Sequence, residues 1–410
     1  MKRIEKIILL MCLLTSAYNV SAADKDMKPG MISIGAFDLS PILNVDESYN
    51  DNIFYSHENP KGSFITQVTG GGELALRKKM DKYALKYVFL SSDYHESNKD
   101  NYVDQALAFT THFEADNRNR IDFNTNAIYS HYMRVTVLSQ GLIAQTLSGP
   151  DQYHTYNAAL EYRYGRVDAK GNLGMDLKWL QFAYDNRLDF TKVYDRNQVE
   201  ATPGFFLRLS PDVYFTTQMQ NIFVDYTSSQ ATSVAIGQLI SQQSYNLQRY
   251  LIGVKWNQSS KTKGSIRIGE FQEQIKHNSL VPNSQNASSG LTWDGEVYWA
   301  PLSYSKFRLD ISNMIQPSIG YGNRQIQSYN LGWEHDWPNR ITSSLTGMYQ
   351  TVSRTNTQET VSGITYKFDV KYKIRDWADL GVNFYKTDFQ ANLLNSNSNQ
   401  DIYMLYIHFK

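Results

Sequence analysis

Apolar and polar side chains alternate in stretches of about ten residues along nearly the whole chain after residue 35. Residues 365–372 show the pattern most clearly, with aromatic or aliphatic side chains at one set of alternate positions and charged or hydroxyl side chains at the other. Residues 291–299 and 306–311 repeat it. Because successive side chains of a strand point to opposite faces, one face of such a strand suits lipid and the other suits water. The pattern is typical of a transmembrane β-barrel.

The links between these stretches alternate between short and long. Short links such as Ser210-Pro211-Asp212 and Trp337-Pro338-Asn339 contain residues that favour tight turns, whereas the long links are rich in Asn, Gln and Ser. Single-chain bacterial barrels have an even number of antiparallel strands, short periplasmic turns and longer outer loops. We therefore predict an all-β fold, a transmembrane antiparallel up-and-down β-barrel of about eighteen strands.

The first residues predict a secretory signal peptide. A basic start with Lys2, Arg3 and Lys6 is followed by the apolar residues 7–14 and by the small residues around Ala22. We expect cleavage after Ala22 and a mature chain that begins at Ala23. No later stretch contains 18 consecutive apolar residues, so we expect no membrane-spanning helix. The predicted organisation is a signal peptide over 1–22, a periplasmic N-terminal segment over 23–38 and an outer-membrane barrel over 39–410.

Composition and motifs argue against several classes of protein. The 40 basic and 40 acidic residues balance, so we expect no nucleic-acid partner. The single cysteine, Cys12, lies in the predicted signal peptide, which leaves no thiol for a disulfide or a metal site. No HExxH pair, G-x-S-x-G elbow or Walker loop occurs. We therefore expect no enzyme, no metal site and no cofactor. A barrel-embedded hydrolase, which needs no linear motif, is a less favoured alternative.

Alternation places many charged residues on the inner face of the predicted barrel. Barrels of 16 to 18 strands leave an aqueous channel, which a wall of mixed charge could line without strong ion selectivity. The simpler alternative is that these are solvated or mutually paired wall residues. The residues predicted to point into the lumen are Glu73, Arg77, Lys86, Asp104, Arg120, Asp122, Glu161, Arg163, Asp176, Lys178, Arg208, Arg249, Arg267, Asp294, Glu296, Lys306, Arg308, Asp310, Lys367, Asp369 and Lys371.

Two predicted outer loops are apolar for segments that would face water. They are residues 135–147 and 231–240, of which the second is compatible with a short helix. One of them is expected to fold into the mouth as a constriction. The alternative is that each loop packs on its neighbours or extends a strand.

An early stretch of the chain resembles a known family. The proline-containing strand at residues 35–48 is followed by Tyr49-Asn50-Asp51-Asn52-Ile53-Phe54, and together they resemble the opening of the putative β-barrel porin 2 family. Residues 83–94 and 120–134 continue the likeness. Members of that family occur with genes for exopolysaccharide biosynthesis and export in Gram-negative bacteria, and the family is not regarded as enzymatic. For Asp51 and Asn52 we predict turn chemistry at the first outer loop.

The resemblance implies an integral protein of the Gram-negative outer membrane that exports an exopolysaccharide. The implied partners are outer-membrane lipid, the secreted polysaccharide and a periplasmic polysaccharide-export protein. The main alternative is a general diffusion porin or small-solute channel. Porins commonly carry an acidic constriction, and the predicted wall has mixed charge instead. The oligomeric state is left open by the sequence.

Overall fold

The computed structural model describes residues 30–57, 59–78, 80–134, 148–228, 231–233, 238–240, 243–258, 261–276, 287–316, 324–354, 360–391 and 397–409. The strands in these residues are β1 Ile32–Ile34, β2 Phe37–Asn50, β3 Ser63–Lys78, β4 Asp81–Tyr94, β5 Tyr102–Glu114, β6 Asn119–Tyr132, β7 Asp151–Tyr164, β8 Gly171–Tyr184, β9 Arg196–Ser210, β10 Val213–Tyr226, β11 Ala231–Ser233, β12 Gln238–Ile240, β13 Tyr245–Gln258, β14 Thr262–Ile275, β15 Ala287–Leu302, β16 Ser305–Gln316, β17 Arg324–Trp337, β18 Ile341–Arg354, β19 Thr360–Arg375, β20 Ala378–Ala391 and β21 Ser398–Phe409.

The long strands form one closed sheet. Strands β2 to β10 and β13 to β21 each pair antiparallel with their neighbours in chain order. The last strand returns to the first, because β21 pairs with β2 from Leu43 opposite Phe409 to Asn50 opposite Ile402. Closure satisfies the backbone groups that an edge strand would expose to lipid. The predicted antiparallel barrel of eighteen strands is thereby confirmed.

Helical structure in the described residues is confined to single turns. These are the α-helical turn Leu188–Thr191 and the 3-10 turns Asn98–Asp100, Lys192–Tyr194 and Pro338–Arg340. Within the described ranges, no helix has the length and apolar character needed to cross a membrane.

The two ends of the barrel differ in the length of their links. Short links such as 115–118, 211–212, 303–304 and 376–377 lie at one end, which we name the turn end. Long links such as 51–62, 95–101 and 185–195 lie at the other, which we name the loop end. The short strand β1 precedes the barrel and pairs with β2 at the turn end. The predicted signal peptide, residues 1–22, lies outside the described residues.

The outward face of the barrel is apolar, as the alternation predicts. Large side chains such as Leu107, Ile252 and Phe368 are about half exposed on this face. Aromatic residues gather on it near the turn end, where the rings of Trp299 and Phe307 stack with centroids 5.3 Å apart. Other outward aromatic residues in this belt are Phe113, Tyr164, Trp333, Trp337, Tyr372 and Trp377. Such a belt fits the boundary between lipid and water.

Candidate functional site: the lumen and its mouth

The register of the strands carries the predicted lumenal residues to the face opposite the exposed apolar side chains. Side chains that are cross-strand partners share a face of a sheet. Asp122 lies opposite Glu161, and Glu161 in turn lies opposite Asp176. On the far side of the barrel Glu296 lies opposite Asp310. The same register brings together, on one inner wall, the following predicted residues: Glu73, Arg77, Lys86, Asp104, Arg120, Asp122, Glu161, Arg163, Asp176, Lys178, Arg208, Arg249, Arg267, Asp294, Glu296, Lys306, Arg308, Asp310, Lys367, Asp369 and Lys371.

Many of these charges form ion pairs, either with one another or with other acidic residues of the wall. Asp294 accepts hydrogen bonds from two arginines, with 2.6 Å to Arg267 Nη2 and 3.3 Å to Arg249 Nη2. Lys178 Nζ lies 2.9 Å from Glu200 Oε1. Further ion pairs join Arg163 to Asp176 and Glu161, Lys306 to Glu334 and Asp336, and Arg308 to Asp310. Pairing lowers the cost of placing charges on a partly buried wall.

Other acidic groups accept hydrogen bonds from uncharged or titratable donors. The Tyr406 hydroxyl donates to Asp369 at 2.9 Å, and a ring nitrogen of His112 lies 2.7 Å from Asp122. Several inward cations, in contrast, make no ion pair or hydrogen bond with any described residue. They are Lys86, Arg120, Lys255, Lys263 and Lys371.

The inner wall changes character toward the loop end, where buried apolar and aromatic side chains lie among buried polar ones such as Gln350 and Ser398. Val352 has no exposed surface, and Phe389 is 1% exposed. The buried side chains form three clusters around the mouth. The first contains Ile53, Phe54, Tyr55, Ile65, Tyr94, Ile326, Val352 and Phe389, the second Phe182, Tyr184, Val193 and Tyr194, and the third Val224, Tyr245, Leu247, Phe271 and Ile315.

The first outer loop folds into this mouth. Residues 52–56, which we name the mouth segment, are almost fully buried although they belong to a loop. Ile53, Phe54 and Tyr55 pack against Ile65 and Tyr94 on nearby strands and against Ile326 and Val352 on strands that come much later in the chain. The mouth segment therefore reaches from β2 across the opening of the barrel.

Asn52 fixes the mouth segment to the last strand. Its side-chain amide donates to the carbonyl oxygens of Ser56 and Asn399, each at 2.9 Å, and its amide oxygen accepts from the Ser56 backbone N–H. Gln400 Nε2 donates to the Asn52 carbonyl oxygen at 2.9 Å. Beside it, the Asp401 N–H donates to Asp51 Oδ1 at 2.8 Å. These contacts tie the loop to the seam where the last strand meets the first.

A buried ion pair supports Phe54 from the other side. Arg134 Nε and Nη2 donate to Asp100 at 2.6 and 2.5 Å, and Nη2 also donates to Ser97 Oγ at 3.1 Å. Both charged side chains are less than a tenth exposed. The Arg134 guanidinium lies 5.0 Å from the centre of the Phe54 ring, within the range of a cation–π contact. The ion pair thus joins two further outer loops to the mouth segment.

Tyr55 completes the packing. Its ring meets Phe389 edge to face with centroids 5.5 Å apart. Burial raises the pKa of the Tyr55 hydroxyl well above its usual value. The hydroxyl therefore remains neutral at physiological pH.

The structure corrects and extends what the sequence predicts about the mouth. The short helix considered for residues 231–240 is wrong for both ends of the stretch, because Ala231–Ser233 and Gln238–Ile240 are strands that pair antiparallel. The other apolar loop, residues 135–147, lies outside the described residues. For Asp51 and Asn52 of the motif Tyr49-Asn50-Asp51-Asn52-Ile53-Phe54, the sequence predicts only turn chemistry. The apolar run Ile53-Phe54-Tyr55 inside a polar loop was the signal that could have revealed its burial.

The described residues contain no cluster of three or more His, Cys, Asp or Glu side chains that could hold a metal ion.

Comparison with known proteins places these features in context. The model of a family described as Putative beta-barrel porin 2 matches residues 28–410. Among curated proteins, none matches the chain significantly.

Solved structures of other barrels are similar in fold at very low sequence identity. The FrpB iron transporter from Neisseria meningitidis is 10% identical with a TM-score of 0.47, and the match covers 86% of this chain and 61% of FrpB. The outer membrane protein opdK from Pseudomonas aeruginosa is 9% identical with a TM-score of 0.47 and coverages of 90% and 98%. OccAB3 from Acinetobacter baumannii is 8% identical with a TM-score of 0.46 and coverages of 92% and 100%. This chain thus spans about 61% of the length of FrpB.

Proposed function

The chain belongs to the Putative beta-barrel porin 2 family of outer-membrane barrels, and we propose that it exports an exopolysaccharide through its lumen. In this proposal the turn end faces the periplasm, in keeping with the short periplasmic turns of bacterial barrels. The polymer enters there, delivered by a periplasmic polysaccharide-export protein, and leaves at the loop end. The charged residues of the inner wall line its path.

The contrast between the two ends of the lumen carries the proposal. Inward charges at the turn end, such as Glu296, are exposed, whereas the mouth segment and its neighbours at the loop end are buried. A lumen that is polar at its periplasmic end and covered at its outer end suits a substrate that arrives from the periplasm. A polymer that moves along such a wall exchanges many weak hydrogen bonds, so no single charge is decisive.

A general diffusion porin is the alternative, and the mouth distinguishes it from an exporter. Small solutes enter such a porin from outside and need a permanently open path. Here the mouth segment is held by the hydrogen bonds of Asn52 and by the packing of Phe54 in the buried apolar cluster. We propose that this segment is an outer gate that moves when polymer fills the lumen. Enzymatic activity forms no part of the proposal.

Deletion in the native host tests the export function. Cells without the protein should lose secreted polysaccharide while the uptake of small solutes is unchanged, and the wild-type gene supplied in trans should restore secretion. Normal secretion together with slowed entry of small nutrients would identify a diffusion porin and contradict the proposal.

Single-channel recording tests the gate. Replacing Phe54 and Tyr55 together by alanine should raise the conductance of the purified barrel in planar bilayers several-fold, because both rings leave the mouth. Leu188→Ala is a matched control, since Leu188 is an exposed residue of another outer loop. Equal conductance of the double variant, the control and the wild type would show that the mouth segment is not the barrier.

A further inference from the structure

One stretch of the inner wall combines open space with lysines that lack an ionic partner. Near the turn end the wall encloses a recess of about 950 Å³. Its floor is made of small side chains, because Gly332 is flanked by Ser344 and Thr346. A Cβ added to Gly332 would meet no atom closer than Thr346 Oγ1 at 3.8 Å. The wall at Gly332 therefore has room for an added group in ordinary van der Waals contact.

Basic and aromatic side chains surround this floor. Lys263, Tyr298, Arg308 and Gly332 follow one another as cross-strand partners on β14, β15, β16 and β17, so they form one row along the wall. Lys255 lines the same recess. We name this set the lysine recess.

The acidic side chains near the lysine recess are largely occupied. Glu334 lies 2.7 Å from Lys306 Nζ, and Asp310 lies 2.9 Å from Arg308 Nε. Lys255 makes no ion pair or hydrogen bond with any described residue. Lys263 Nζ lies 5.1 Å from the centre of the Tyr298 ring, which is a cation–π contact with an uncharged partner. Glu296 is the one acid of the recess that is likewise without a partner in the described part of the chain, so the free charge of the recess is positive.

We propose that the lysine recess binds acidic sugar residues and that the exported polymer is therefore an anionic polysaccharide. A carboxylate or another acidic substituent would pair with Lys255 and Lys263, and the floor at Gly332 leaves room for the ring of the sugar. When the Lys263 ammonium turns away from the Tyr298 ring to pair with the ligand, the face of that ring becomes exposed. The apolar face of a sugar can then pack against it. The position of the recess at the turn end makes it a loading site. This inference rests on the proposed export function, whose substrate class it specifies.

Binding to the purified full-length barrel in detergent tests the inference. Short oligosaccharides of glucuronic acid are titrated into the protein by calorimetry, with oligoglucosides of the same length as the neutral probe. The acidic probe should bind more tightly, and its affinity should fall as salt is added because exposed charges are screened. Equal binding of both probes, or binding of neither, would overturn the inference.

Variants locate the site. Lys255→Gln combined with Lys263→Gln should weaken binding of the acidic probe about fivefold, since each lysine contributes one exposed ion pair with the acidic substituent. Lys86→Gln is the control, because Lys86 is also inward and without a partner but lies on β4, away from the recess. An equal loss in the control would mean that the whole wall attracts anions, which contradicts a specific recess.

The binding proposal and the export proposal can be refuted independently. If the acidic probe binds in vitro but the deletion strain secretes normally, the lysine recess stands as a binding site and the export function is refuted.

Discussion

The turn end and the loop end of the lumen are built from the same strands, yet they differ in what their inward residues do. At the turn end, inward side chains such as Lys263 and Glu296 are charged and exposed to the lumen. At the loop end, the inward side chains of Val352 on β18 and Phe389 on β20 are fully buried. The difference arises because outer loops fold back over one end, whereas the short turns cannot reach over the other.

The difference between the two ends shows that the type of side chain at an inward position depends on whether water reaches it. Water fills the turn end, so charges there are solvated or paired at modest cost. The loop end is buried, so apolar side chains occupy many of its inward positions beside buried polar ones, and the charges of Arg134 and Asp100 there are paired and hydrogen-bonded. Stability should therefore depend on different residues at the two ends.

The largest effect is expected from the buried ion pair of the loop end. Arg134→Met leaves the Asp100 carboxylate buried without its partner and should destabilise the outer loops by about 3–5 kcal/mol. Urea unfolding of the refolded barrel measures the change. The double variant Arg134→Met with Asp100→Asn should recover part of the loss because no unpaired charge remains. If both variants unfold like the wild type, the mouth is not sealed from water.

A smaller effect is expected where the barrel meets lipid. Leu309 points outward, two residues from Phe307 of the aromatic belt and so between the interface and the bilayer midplane, and an arginine there should cost about 1–3 kcal/mol. Glu296→Arg is the matched inward control at the same level of the barrel, where the new arginine would lie opposite Asp310. The fraction of heat-modifiable protein after folding into lipid vesicles measures both. Equal yields would mean that the inner and outer faces are assigned wrongly.

Loss of the Asn52 hydrogen bonds that hold the mouth segment should have a smaller effect on stability than loss of the buried ion pair. Asn52→Ala removes a buried amide that bonds Ser56 and Asn399, and the unsatisfied groups should cost about 1–3 kcal/mol. Hydrogen exchange of residues 52–56 should rise strongly in this variant. Asn117→Ala, in an exposed turn, is the control and should leave exchange in the mouth unchanged.

The smallest effect is expected at the turn end. Lys371→Gln removes an inward charge that makes no ion pair or hydrogen bond with any described residue, so its unfolding free energy should stay within about 0.5 kcal/mol of the wild type. Its conductance should also be close to that of the wild type. A loss as large as that of Arg134→Met would erase the distinction between the two ends.

The alternation of side chains was sufficient to predict most of the architecture. The period of two separates lipid-facing residues such as Phe368 from inward residues such as Asp369, and the tight links at residues with turn propensity fix the order of the strands. The predicted lumenal charges are therefore found on one wall. The predicted signal peptide and the predicted domain boundaries stay predictions.

The mouth could not be predicted in the same way. Apolar content drew attention to residues 135–147 and 231–240, whereas the structure places Ile53, Phe54 and Tyr55 in the opening. Their burial depends on Ile326 and Val352, which are more than 270 residues away in sequence. Local periodicity carries no information about such contacts.

The sequence by itself determined the barrel, its number of strands and the two faces of each strand, because these follow from side-chain alternation and turn chemistry within a few neighbouring residues. Only the tertiary structure decided which loop covers the mouth, which charges are paired and where a recess remains open. Those features depend on the register between strands and on closure of β21 against β2, which brings Asn52 to Asn399 and Gln400. Contacts across a closed sheet join residues whose separation along the chain has no preferred length, so no sequence pattern encodes them.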